Sequence, residues 1–156
     1  MGIKSFQGKR AAPEKAKSAP MLVRDYMSTS LITFKEHENI MDVAEKLTKN
    51  KISGGCVVDD NNKLLGLISE GDCMKQISDS RYYNMPLDDA TVRKRMTCNV
   101  DTIDGNMNVM DAAKLFIEKR FRRFPIVEHG KLIGQISQSD VLRAAVRLKS
   151  NNWHLG

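Results

Sequence analysis

Apolar and polar residues follow two rhythms along this chain, and the same succession of rhythms occurs twice. Ile40, Val43, Ala44 and Leu47 fall at i, i+3, i+4 and i+7, the spacing that lines one face of a helix. Val109, Ala112, Ala113 and Phe116 repeat that spacing. Each stretch follows an asparagine, Asn39 or Asn108, suited to accept from the first free N–H groups of a helix. Ahead of each lies a short apolar run, LITF (31–34) or VDTI (100–103), predicted as a strand. Behind the first come GCVVD (55–59) and KLLGLIS (63–69), joined by an Asn-rich turn. Behind the second come FPIVE (124–128) and KLIGQIS (131–137), joined by His-Gly. A last helix is predicted to start after Ser69 and again after Ser137. The order is β-α-β-β-α, twice, and the fold class is α+β.

The two halves align residue by residue. The offset is 69 residues and shortens to 68 beyond the first turn, where DDNNK is one residue longer than EHGK. Val23/Val92, Met27/Met96, Thr33/Thr102, Asn39/Asn108, Asp42/Asp111, Ala44/Ala113, Val58/Val127, Gly66/Gly134, Ser69/Ser137 and Asp72/Asp140 coincide. Such self-similarity marks an internal duplication. The expected organisation is a flexible basic tail (1–20), a first repeat (21–79), a linker (80–91), a second repeat (92–149) and a short tail (150–156). One copy buries too little core to be comfortable alone. Two are therefore expected to pack face to face with pseudo-twofold symmetry, leaving clefts between them.

Charge changes this picture little. The net charge is +6, but Lys4, Lys9, Arg10, Lys15 and Lys17 against Glu14 place +4 of it in the first twenty residues, leaving +2 for the rest. That segment is solvated in composition and lacks the aromatics that stack bases, so nucleic acid is not the expected partner. No apolar run approaches the roughly 20 residues of a membrane span, and the start has no secretory apolar stretch. Cys56, Cys73 and Cys98 are odd in number and far apart, which fits neither a disulfide framework nor a zinc knuckle. They suit a reducing compartment, and the expected location is cytoplasmic.

The repeated GLISEGD (66–72) and GQISQSD (134–140) carry the candidate chemistry. A structural reading makes Ser69 and Ser137 helix N-caps answered by Asp72 and Asp140, with Gly66 and Gly134 relieving a close backbone approach. A functional reading adds a ligand. The helix start favours an anion such as phosphate, a serine hydroxyl can donate to it, and a short carboxylate can accept from two neighbouring hydroxyls of a ribose. Both readings stand on the motif alone.

Over residues 22–148 the chain resembles a tandem pair of cystathionine-β-synthase (CBS) domains, a Bateman module. The resemblance lies in TSLITFKEHENIMDVAEKL, GCVVDDNNKLLGLISEGD and RRFPIVEHGKLIGQISQSD. It implies disc-like homodimers and regulatory binding of adenosine compounds: AMP, ADP, ATP or S-adenosylmethionine. By the same resemblance, Asp72 and Asp140 meet the ribose, Ser69 and Ser137 lie near phosphate, and Thr33 and Thr102 stand beside the first strand of each copy. Adenine would lie against the middle strands, at Gly55, Cys56 and Val57 and at Phe124, Pro125 and Ile126. In related modules a basic residue at the place of Arg122 or Arg123 often reaches phosphates held by the other repeat. The cleft using Thr33, Ser69 and Asp72 is thus the expected stronger phosphate site.

Nothing else assembles a site. His37, His129 and His154 have no second ligand at zinc spacing, and no nucleophile elbow, Walker A loop or Gly-x-Gly-x-x-Gly occurs. The expectation is a regulatory adenine-nucleotide sensor that is not an enzyme, uses no metal, and acts on another, unidentified protein. The rival is a structural interaction module with empty clefts.

Overall fold

The computed structural model describes residues 2–7, 21–83 and 90–152. The first repeat runs β2 (Thr33–Phe34), α2 (Ile40–Asn50), β3 (Gly54–Val58), β4 (Leu64–Ser69) and α3 (Glu70–Tyr82). The second runs β5 (Val100–Ile103), α5 (Val109–Lys119), β6 (Arg123–Glu128), β7 (Lys131–Ser137) and α6 (Gln138–Asn152). The β-α-β-β-α order is therefore present in both copies. In each, the first strand runs parallel to the middle one and the hairpin partner runs antiparallel to it.

Local chemistry explains the helix boundaries. Asn39 Oδ1 accepts from the Met41 N–H at 2.7 Å, and Asn108 Oδ1 from the Met110 N–H at 2.8 Å. Each helix so begun buries its apolar stripe: Ile40, Val43 and Leu47 in one, Val109, Ala112 and Phe116 in the other. Both end on a non-glycine residue in the left-handed region, Lys51 at φ 54° and Arg120 at φ 57°. That conformation costs an L-residue about 1–2 kcal/mol, and glycine returns part of the gain as chain entropy. Lys51→Gly is therefore expected to stabilise the protein by up to about 1 kcal/mol, read as a higher urea midpoint at unchanged slope.

Each core is filled in its own way. In the first, Phe34 is fully buried, and a Cβ on Gly55 would stand 2.6 Å from its ring. In the second the equivalent positions are Ile103 and Phe124, so the bulk moves from the first strand to the middle one. The Phe124 ring meets Phe116 at a tilt and Phe121 edge to face, at centroid distances of 4.8 and 5.4 Å.

Two short helices were not foreseen. They are α1 (Val23–Tyr26) and α4 (Val92–Arg95), each leading into a repeat. One compact unit is built on Leu31–Val100 and takes in Ile3 and Lys4; the other takes in Ser5 and Phe6, residues 21–30 and the chain from Asp101 onward. Thus α4 belongs with the first sheet and α1 with the second. Three backbone bonds fix each lead-in, and they are the same three. Val92, Arg93 and Ile40 N–H donate to Glu38, Glu36 and Ala90 carbonyls in one unit; Val23, Arg24 and Val109 N–H donate to Met107, Gly105 and Met21 carbonyls in the other. Val92 and Val23 are fully buried.

The contacts from these lead-ins to the last helices have diverged. Arg95 donates to Gln76 Oε1 at 2.6 Å and to Asp79 Oδ2 at 2.8 Å, while the buried Gln76 amide donates to Ser80 Oγ. At the equivalent place Tyr26 and Ala144 are buried, and Arg143 lies over the Tyr26 ring and donates to its carbonyl.

A second departure concerns the tail. Residues expected to be flexible include a strand, β1 (Ile3–Phe6), beside β5, giving the order β1-β5-β6-β7 against β2-β3-β4 in the first sheet. Phe6 explains it: its side chain packs against the second core, its carbonyl accepts from the Asp104 N–H, and Lys119 Nζ sits 5.2 Å from its ring centroid. Residues 8–20 of the expected tail, 84–89 of the expected linker, and Trp153 and His154 lie outside the described residues. The expected linker starts late, because α3 continues to Tyr82. Ala90 is buried in the first core.

Candidate functional site

At one end of the first sheet, β4 runs directly into α3. Ser69 Oγ accepts from the Asp72 N–H at 3.3 Å and donates to Asp72 Oδ2 at 2.9 Å; the Ser69 N–H donates to the same Oδ2 at 2.9 Å. This reciprocal cap satisfies the helix start. It leaves the outer oxygen, Oδ1, out of the cap. In register, Gly54 faces Ser69 and Thr33 faces Cys56, so Thr33, Gly55, Ser69 and Asp72 gather at the strand ends where the helix begins. Thr33, Gly55, Ser69 and Asp72 are all partly exposed, whereas Cys56 and Val57 are buried. For Cys56 and Val57, contact with a ligand would come through backbone.

The second sheet builds the same end from the same residue types. Ser137 N–H and Oγ donate to Asp140 Oδ2 at 2.8 and 3.0 Å, and the Asp140 N–H donates to Ser137 Oγ at 3.3 Å. Arg123 stands across from Ser137, and the Gln138 N–H donates to the Arg122 carbonyl. Both arginine side chains are exposed and form a basic rim at this strand end. The positions equivalent to Arg122 and Arg123 in the first repeat are Ser53 and Gly54. Phe124, Pro125 and Ile126 are buried.

Two further differences separate the copies. Thr33 is partly exposed, whereas Thr102 is fully buried. The outer oxygen of Asp140 lies 3.5 Å from Arg143 Nη1, while among the described residues no cation pairs with Asp72; Lys75 holds the place of Arg143. Next to Asp72, burial pushes the Cys73 thiol up in pKa, and the Asp72 and Glu70 charges add to the effect. A raised thiol is a poor nucleophile at neutral pH, so Cys73 has the character of packing. Among the described residues no three His, Cys, Asp or Glu side chains converge as metal ligands, and no helix is long and apolar enough to cross a membrane.

The glycines of the repeated motif have their reason in backbone approach. A Cβ on Gly66 would meet the Thr97 carbonyl oxygen at 2.6 Å; on Gly134 it would meet Met27 Sδ at 2.6 Å and the Ser28 carbonyl oxygen at 2.8 Å. Here the segment following each lead-in helix exchanges paired backbone bonds with the strand, Leu67 with Thr97 and Gln135 with Ser28. Sequence reading missed the lead-ins, although Val23/Val92 and Met27/Met96 were a signal of them ahead of the first strand.

The protein is similar over most of its length to known proteins. The CBS domain profile matches residues 23–79 and 91–147. The chloroplastic CBS domain-containing protein CBSX2 of Arabidopsis thaliana is 32% identical over 160 residues, which cover 86% of this chain and 67% of that protein. The uncharacterized MJ1426 of Methanocaldococcus jannaschii is 30% identical, with 81% and 92% covered. Of another relative in that organism, MJ1225, the chain spans 44% of the length, at 29% identity. Among solved structures, CBSX2 in complex with AMP superposes with a TM-score of 0.72 at 32% identity, covering 83% of this chain and 98% of that one. The CBS domain pair of MJ0100, in complex with 5-methylthioadenosine and S-adenosyl-L-methionine, gives 0.66 at 27% identity, covering 83% and 99%. With both halves matched and the duplicated strand–cap–helix geometry present in each, the chain belongs to the CBS domain family as a tandem pair.

Proposed function

We propose that this CBS pair is a regulatory sensor of adenine nucleotides with no catalysis of its own. The observation that carries the reading is the Ser69–Asp72 cap: it fixes a carboxylate at a helix start and leaves one oxygen directed to other partners. That oxygen suits the two hydroxyls of a ribose, and the helix start suits a phosphate. Binding of AMP by the similar CBSX2 supports the adenosine class, and the exposed Arg122 and Arg123 favour a phosphorylated member of it over S-adenosylmethionine. The ligand would bias two states of the module, and the output would pass to a separate protein in a reducing, cytoplasmic setting. A homodimer fits the last helix of each repeat, where Met74 and Leu142 occupy equivalent positions and are both 65% exposed.

Thermal unfolding with AMP, ADP, ATP or S-adenosylmethionine tests this. A ligand at 100 times its dissociation constant adds about 2.7 kcal/mol, a rise of roughly 5–11 °C for a chain of this size. Asp72→Asn keeps a cap acceptor but removes the charge, and it is expected to abolish most of the shift while the ligand-free midpoint moves little. An unshifted midpoint with all four compounds would leave only the capping role and would favour an interaction module.

A further inference from the structure

The two repeats carry the same motif, yet among the described residues only the second has a fourth strand beside it. We propose that β1 closes the second repeat's ligand end, so that the chain takes up one adenine nucleotide, at Thr33, Ser69 and Asp72; this rests on the ligand reading above.

Position by position, the first strand of the second repeat is the more enclosed. Leu31, Ile32 and Thr33 are partly or largely exposed, whereas their equivalents Val100 and Thr102 are buried and Asp101 is partly covered. Only Phe34 and its equivalent Ile103 are equally buried. The described sheet contents differ by β1 alone: β2-β3-β4 against β1-β5-β6-β7. Thr102 sits in the strand that β1 flanks, and its side chain, fully buried, is withdrawn from any ligand. The second difference points the same way, because the outer oxygen of Asp140 already faces Arg143 while, among the described residues, that of Asp72 faces no cation.

The fourth strand is the edge strand of its sheet. It is four residues long, Ile3 is 38% exposed, and Lys4 and Ser5 face solvent. Its anchors include the pairing with β5, the Phe6 side chain on the second core with Lys119 over its ring, the bond from the Asp104 N–H to the Phe6 carbonyl, and the Gly2 N–H on Asn99 Oδ1. Such a strand can be detached without removing the core beneath it.

Titration calorimetry of the full chain with AMP is expected to give one site. Two kinds of variant, each in the full chain, release β1. Ile3→Asp with Phe6→Asp removes its apolar anchors. Lys4→Pro and Ser5→Pro, made singly, remove successive backbone donors, one of which points at β5 because neighbouring N–H groups point to opposite sides of a strand. Amide exchange at residues 100–103 reports release, and far-UV circular dichroism reports that the fold persists. Released variants are expected to bind two AMP, and adding Asp140→Asn or Thr102→Val should return them to one. In the unreleased chain, Asp72→Asn should leave none and Asp140→Asn should leave one. Two AMP in the unaltered chain would overturn the proposal and leave the sensor reading intact. So would one AMP in a folded variant whose exchange shows β1 detached. Absence of binding of AMP, ADP, ATP and S-adenosylmethionine in every form, the released ones included, overturns the ligand reading itself and this inference with it.

Discussion

Phe124→Ala is expected to lower the free energy of unfolding by about 3–5 kcal/mol, the range for deleting a fully buried aromatic ring. The ring has no exposure and is flanked by Phe116 and Phe121, so its removal leaves a cavity between them. For this chain length the loss corresponds to a fall in midpoint of roughly 6–20 °C, measurable by calorimetry. Against a typical total of about 5–15 kcal/mol, the second unit would unfold first. The first unit offers a matched control. There the same volume is supplied by Phe34 lying over Gly55, with room for no Cβ between them. Gly55→Phe alone should be severely destabilising, whereas Phe34→Ile with Gly55→Phe copies the arrangement of the second repeat and should recover part of the loss. A double-mutant cycle with no coupling between positions 34 and 55 would refute this account of the exchange of bulk.

The second large effect concerns the motif glycines. Gly66→Ala and Gly134→Ala are each expected to destabilise by about 1–3 kcal/mol, the cost of forcing an extra carbon into a packed contact. Gly66→Ala should be the worse of the two. Its new carbon meets a backbone oxygen at 2.6 Å, whereas the nearest atom at Gly134 is a flexible methionine sulfur, with backbone oxygen at 2.8 Å. The local signature is separation of the lead-in segment from the strand. Amide exchange at Leu67 and Thr97 should accelerate in Gly66→Ala, and that at Ser28 and Gln135 in Gly134→Ala, since those amides form the paired bonds. An alanine variant at either site with wild-type stability would sink the close-approach explanation.

These glycines also show what the sequence could and could not reveal. Helix faces, Asn caps, the hairpins and the Ser–Asp capping pairs were legible because each depends on residues within a few positions of one another. The role of Gly66 and Gly134 as crossing points was legible too, but not what crosses: Thr97 and Ser28 lie 31 and 106 residues away. The lead-in helices escaped for a related reason. Four residues carry too little periodicity to stand out, and their stability comes from backbone bonds to turns in the opposite half of the sequence. The strand at Ile3–Phe6 was hidden in a lysine-rich context, where two apolar residues suffice once an open sheet edge is available. At the candidate site, the motif carried the residue types in both copies alike. The difference in access between Thr33 and Thr102 accompanies that added strand, which no local pattern encodes.

The traded lead-ins impose an order on synthesis. As the chain leaves the ribosome, the first sheet and its helices are complete at Tyr82, but the cover supplied by Ala90, Val92 and Met96 is still to be made. At typical elongation rates of about 5–20 residues/s, those further residues take roughly 1–3 s. The opposite constraint falls on α1, whose Val23 and Tyr26 emerge early and find their core only after α6 has been translated. Neither half can be finished from its own stretch of messenger, so a gene fragment cut at the repeat boundary would yield two products, each lacking part of its own core.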